Sequence, residues 1–232
     1  MKYFLIHKNL SNEIKSRLSF FGECVPLPAF EKLPIPVCMH PDMLIAKVGG
    51  TLLIHEEYEE GQALLRSLGI PFSISHTPVS AKYPQDIRLN CFCVGDCFVS
   101  NEKYVSREAL YMAKESGLRS IAVAQGYAKC SCAVAGNAVA TADRGIAKAL
   151  NRAGADVLLL QPCPIGIEVY DTGFIGGASV LLDERTLGFF GNIEIFAQYA
   201  LLKDFFASHG VSLVSLGEDP IFDYGGAIAV SV

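Results

Sequence analysis

The sequence predicts an α/β protein folded as a closed, propeller-like ring of five repeated units, and three observations lead there. Five times a helix-like stretch ends in a glycine and a short apolar run follows at once, at residues 22–27, 69–74, 117–123, 154–160 and 210–216. Glycine suits the left-handed position that ends a helix, because it has no Cβ to clash there. Four of these junctions follow a pair of strand-like runs around a turn. The chain also opens and closes on strand-like runs, 2–7 and 225–232.

The units read in order as strand, strand, helix, strand. The first pair of strands, 43–48 and 51–55, flanks Gly49-Gly50, a hairpin signal. The next, 90–94 and 97–100, flanks Gly95-Asp96. A third, 130–135 and 138–142, flanks Gly136-Asn137, and a fourth, 179–182 and 187–190, flanks 183–186. A polar residue closes each second strand: His55, Asn101, Asp143 and Asn192. Helical spacing follows, as in Ala109, Leu110, Met112 and Ala113, or Ile146, Ala147, Ala149 and Leu150. The strand after each helix, 157–160 above all, is apolar enough to predict burial on both faces. The last unit is split: strand 225–232 joins strand 2–7, a helix at 11–21 and strand 23–26. A ring closed in this way leaves no open sheet edge to protect. One domain, 1–232, then comprises units at 37–76, 83–124, 126–160 and 171–216, with 223–232 joined to 2–28.

Composition bounds the function classes. Apolar residues make up 51% and charged residues 19%, which predicts a large core and excludes disorder. The net charge is −5 with no basic cluster, against binding the phosphate backbone of nucleic acid. No run approaches the 18 apolar residues of a membrane span, and no signal-peptide pattern opens the chain, so a cytoplasmic protein without membrane partners is expected. The eight cysteines lie in apolar runs and form no secreted framework. No metal is expected: His40, His55 and His76 share the first unit with Asp42, but none has the spacing of a zinc site. No cofactor motif is present either, since the glycines at 173, 176 and 177 lack a phosphate-loop lysine.

A closed ring of five such units is the architecture of the penteins, and particular segments carry the resemblance. Residues 127–136 resemble the strand that bears the catalytic histidine of the dimethylarginine dimethylaminohydrolases, and 225–232 the strand that bears their cysteine. Residues 41–44 and 88–92 are similar to their two acidic segments. The resemblance implies a cysteine thiolate attacking a guanidinium carbon, a histidine moving protons and carboxylates holding the cation. Carried over by position, the cysteine falls on Val230, the histidine on Tyr127 and one acid on Asn90, whereas Asp42 keeps its acidic type.

Three readings follow. The first is a pentein that binds a small polar molecule, guanidino or amino-acid-like, in its central channel without the cysteine–histidine chemistry. Its ligand-binding candidates are His40, Asp42, Asp86, Asn90, Tyr127, Lys129, Phe174, Gly176 and Gly177. The second is a hydrolase of guanidino C–N bonds using Cys130, His40 and Asp42. Lys129 beside Cys130 would lower the thiol pKa, although a small apolar residue in a buried strand has the same sequence signature. The third is a non-catalytic protein that presents one ring face to a macromolecule, as the pentein-fold translation factor does. An open, polar channel favours the first reading and a plugged one the third; catalytic competence and oligomeric state are left open.

Overall fold

A computed structural model describes residues 1–232. In chain order the elements are β1 Lys2–Ile6, α1 Asn12–Leu18, β2 Glu23–Pro26, the short α2 Pro41–Leu44, β3 Ile45–Val48, β4 Thr51–His55, α3 Glu59–Ser67 and β5 Phe72–Ser75. Then come β6 Phe92–Val94, β7 Cys97–Ser100, α4 Arg107–Glu115, β8 Arg119–Ala122, β9 Cys132–Ala135, β10 Ala138–Thr141, α5 Arg144–Ala153 and β11 Asp156–Leu159. The chain ends with β12 Ser179–Asp183, β13 Thr186–Phe189, α6 Tyr199–Ser208, β14 Ser212–Ser215 and β15 Ala227–Ser231.

These strands form five three-stranded sheets, β15-β1-β2, β3-β4-β5, β6-β7-β8, β9-β10-β11 and β12-β13-β14. In each, the first strand runs antiparallel to the middle one and the third runs parallel to it, as in β3–β4 and β4–β5. The split unit obeys the same rule, with Phe4 opposite Ala229 on one side and Cys24 on the other. The fold is therefore the five-unit α/β ring that the repeats predict. Inner strands adjoin around the axis, β3 beside β6 and β12 beside both β9 and β15.

Alternation along the middle strands explains how the ring coheres. In β1, Tyr3 and Leu5 join one apolar cluster with Leu52 and Ile54, while Phe4 and Ile6 join another with Val180 and Leu182. Successive side chains of a strand point to opposite faces, so one strand serves two neighbours. Five clusters result, each filling the space between two adjacent units. Burial on both faces belongs to these middle strands and not, as the apolar run at 157–160 suggests, to the third ones. In β11, Asp156 and Leu159 are exposed, because the third strand is the outer edge of its sheet.

Helix starts follow local chemistry. Side chains of Ser11, Ser106 and Asp143 accept hydrogen bonds from the backbone N–H groups of Ile14, Ala109 and Ile146. Of the five junction glycines, Gly69, Gly117, Gly154 and Gly210 have positive φ. Gly22 does not. A Cβ there would sit 2.8 Å from the Lys2 carbonyl oxygen, so close approach of β1 fixes that glycine instead.

Candidate functional site in the central channel

The ring encloses an open cavity of about 410 Å³, walled by residues of all five inner strands. Asp42, Lys129, Gly225 and Gly226 lie at one end, and the hairpin glycines Gly49, Gly50 and Gly95 at the other. The inner strands start later than the sequence indicates. Residues 43–44 end α2, and 90–91 and 130–131 belong to the connections that lead into β6 and β9. These lead-in segments hold the polar groups.

Pro41 opens α2, where its missing N–H costs nothing. The next residue, Asp42, donates its backbone N–H to the Gly225 carbonyl at 3.1 Å. The Asp42 side chain is buried and neither carboxylate oxygen makes a well-formed hydrogen bond, the weak Cys130 thiol being the side-chain donor beside it. Burial, reinforced by nearby Asp223, pushes its pKa up to about 7. Asp223 is better satisfied: Oδ1 accepts from Gly225 N at 2.9 Å and Oδ2 from Phe174 N at 2.8 Å. Burial still raises it to about 6. The Lys129 ammonium draws both carboxylates down but lies within 4.0 Å of neither.

Asn90 ties these segments together. Its Oδ1 accepts from Lys129 N at 2.8 Å and Cys130 N at 3.3 Å, and its Nδ2 donates to the Asp42 carbonyl at 3.2 Å and to Cys130 Sγ at 2.9 Å. Cys130 is buried, and its thiol pKa stands well above the ordinary value through burial, then Asp42 and Asp223. Lys129 does not activate it as its place in the sequence suggests, because burial and the two nearby carboxylates disfavour the thiolate. His40 faces Asp223 at 3.8 Å from Nδ1 to Oδ1 and packs edge-on against His7, ring centres 5.4 Å apart. Burial lowers His40 to about 3 and His7 to about 4, so both imidazoles are neutral near pH 7.

Asp86, Tyr127 and Phe174 form an adjoining patch. The Tyr127 hydroxyl donates to Asp86 Oδ2 at 2.6 Å, leaving buried Asp86 Oδ1 without a partner. The Tyr127 ring packs between Tyr83 and Phe174, with centres 5.9 and 6.1 Å away. Gly176 and Gly177 let two loops touch. Gly177 donates to the Cys130 carbonyl at 3.1 Å, and its own carbonyl accepts from Tyr224 N and Gly226 N. A Cβ on Gly177 would fall on the Asp223 carboxylate.

Of the residues singled out from sequence, Asp42, Asn90, Lys129, Cys130, Gly176, Gly177 and His40 thus converge on one end of the channel. Asp223 and His7 complete the cluster and carry no sequence signal beyond an acid two residues ahead of Gly225-Gly226. Val230 does not face the axis: it packs in the core cluster of Tyr3, Met43 and Leu44. His55 is buried against Phe30, and His76 is exposed beside Glu56. No three acidic, cysteine or histidine side chains are grouped to hold a metal. No helix is long and apolar enough to cross a membrane.

The charge balance of the cluster determines what it can do. Two ionised carboxylates against one ammonium and two neutral imidazoles leave one negative charge uncompensated. A proton on Asp42 meets it near neutrality; so would the cationic group of a ligand.

Comparison with known proteins bears first on the ring. A family model described as "Family of unknown function (DUF6873)" matches residues 5–228. No curated protein sequence matches the chain. Among solved structures, dimethylarginine dimethylaminohydrolase in an adduct with 4-chloro-2-hydroxymethylpyridine is similar at 11% identity and a TM-score of 0.52, over 93% of this chain and 92% of that one. A substituted form of that enzyme, an adduct with S-methyl-L-thiocitrulline, aligns at 12% identity and a TM-score of 0.53 over 98% of both chains. Agmatine deiminase from C. jejuni aligns at 9% identity and a TM-score of 0.48, over 72% of this chain and 62% of that one. The likeness is one of fold.

Proposed function

The chain belongs to the DUF6873 family, and we propose that its ring binds a small polar cation, guanidino or amino-acid-like, at the Asp42 end of the central channel. One observation carries this reading: a buried carboxylate, neither oxygen of which accepts from an N–H or O–H group, on a residue that lines an open cavity. Burying a charge without a partner is costly, and a protein gains nothing in stability from it. A guanidinium or ammonium satisfies both oxygens with charge-assisted hydrogen bonds. Ring likeness to hydrolases of guanidino compounds supports the same class.

We further propose that the channel binds without thiolate–histidine chemistry. Tyr127 and Asn90 stand at the positions matched to a histidine and an acid, and the Cys130 thiol is held protonated. Its eight free cysteines support a place in the reducing cytoplasm.

The test is thermal unfolding and calorimetric titration with agmatine, arginine, methylated arginines and simple amines. Ligand at a hundredfold excess over Kd adds about 2.7 kcal/mol. For a chain of this size that raises Tm by roughly 5–10 °C. Asp42→Asn is expected to abolish the shift. No shift with any compound at millimolar concentration, in a folded protein, sinks the proposal.

A further inference from the structure

The far half of the cavity holds a charge of the opposite sign. Lys47 is the only charged residue of β3, and it lines the channel with its neighbours Ile45 and Phe92. β6, β9 and β15 contain no charge at all, and β12 only Asp183, its terminal residue. The Lys47 ammonium donates to the Ala229 carbonyl at 2.8 Å. That uses one of its three N–H donors. No carboxylate pairs with it, and burial followed by the positive charge of Lys2 lowers its pKa. An exposed ammonium with two donors free beside a cavity is a place for an anion.

Its position relative to Asp42 follows from two contacts with the same stretch of chain. Asp42 N–H meets the Gly225 carbonyl, and Lys47 Nζ meets the Ala229 carbonyl. The Gly225 carbonyl lies ahead of β15 and the Ala229 carbonyl inside it, so the two contacts mark different levels of the channel wall. Asp42 and Lys47 both line this one cavity.

We infer that Lys47 forms an anion subsite, so that the channel takes an elongated molecule lengthwise, cation at Asp42 and carboxylate or similar anion at Lys47. The inference rests on the reading of Asp42 as the cation end. The ligand class is then an ω-guanidino or ω-amino acid, distinguished from a diamine by the sign of its second charge.

Two probes of similar length differ in that sign alone: γ-guanidinobutyrate, which ends in a carboxylate, and agmatine, which ends in an ammonium. Calorimetric titration of the wild-type protein is expected to favour γ-guanidinobutyrate by about fivefold, the scale of a solvent-exposed ion pair. Lys47→Gln should level the two affinities, and Lys47→Glu should reverse the order. Far-ultraviolet circular dichroism confirms that both variants fold. If agmatine binds as well as γ-guanidinobutyrate to the wild type, or if Lys47→Glu leaves the order unchanged, the anion subsite is refuted while the cation site stands. If neither probe binds at millimolar concentration, the Asp42 reading fails and this inference fails with it.

Discussion

Replacing Asp42 by asparagine should stabilise the protein, and by an amount that depends on pH in a defined way. Asp42 has a folded-state pKa of about 7 against 3.8 as the unshifted value. Between those pH values the folded protein keeps the proton and the unfolded chain has released it. Stability therefore falls as pH rises through this window, by 1.36 kcal/mol per pH unit for one group. Over about three units the wild type loses about 4 kcal/mol that the asparagine variant keeps. The difference in unfolding free energy, variant minus wild type, should grow from pH 4 to pH 7 and level off above it. Urea titrations at half-unit intervals measure it, and any constant effect of the amide drops out of the slope. A difference that is flat from pH 4 to 8 would mean that Asp42 ionises freely in the fold, which is incompatible with a carboxylate buried in this way.

Other perturbations test the packing and the thiol. Gly177→Ala places a methyl on the Asp223 carboxylate; overpacking of this kind costs about 1–3 kcal/mol and should lower Tm by roughly 2–12 °C. A Tm within 1 °C of wild type would show that the two loops do not touch. Cys130 should resist iodoacetamide in the folded protein at pH 8, because burial and two carboxylates keep it protonated, whereas half-buried Cys38 and Cys163 react. Peptide mass spectrometry reads each site, and labelling of Cys130 at the rate of Cys38 would contradict the buried geometry.

The ring was legible because its signals are local. Glycines at helix ends, turn dipeptides and apolar alternation each act over a few residues, and they recur five times. Where they failed, a tertiary contact had taken over. Gly22 is a glycine because of Lys2, a neighbour only once β1 and β2 pair. Met43, Asn90 and Cys130 have strand composition, but Met43 lies in α2 and the other two just ahead of β6 and β9, where Asn90 ties the segments together by tertiary hydrogen bonds. Among the site residues, Asp42 and Asn90 stood out through resemblance to known enzymes. Asp223 did not, because it enters the site through Phe174, whose N–H it accepts from another unit. Val230 misled for the same reason: position along a strand is visible in sequence, but which face the strand turns inward is decided by its partners.

The joining of Asp42 to Gly225 has a kinetic consequence. That hydrogen bond links the first complete unit to the split one, and Asp42 and Asp223 are both buried where these units meet the loop of Phe174 and Gly177. Contacts so distant in sequence form late, after the loop entropy they require has been overcome. Desolvation of Asp42 and Asp223 then lies on the native side of the folding barrier. Mutations and conditions that act there change the unfolding rate and leave the folding rate alone. Raising the pH from 4 to 7 should therefore speed the opening of the ring without slowing its closure, so that the channel's charge governs how long the fold persists once it has formed.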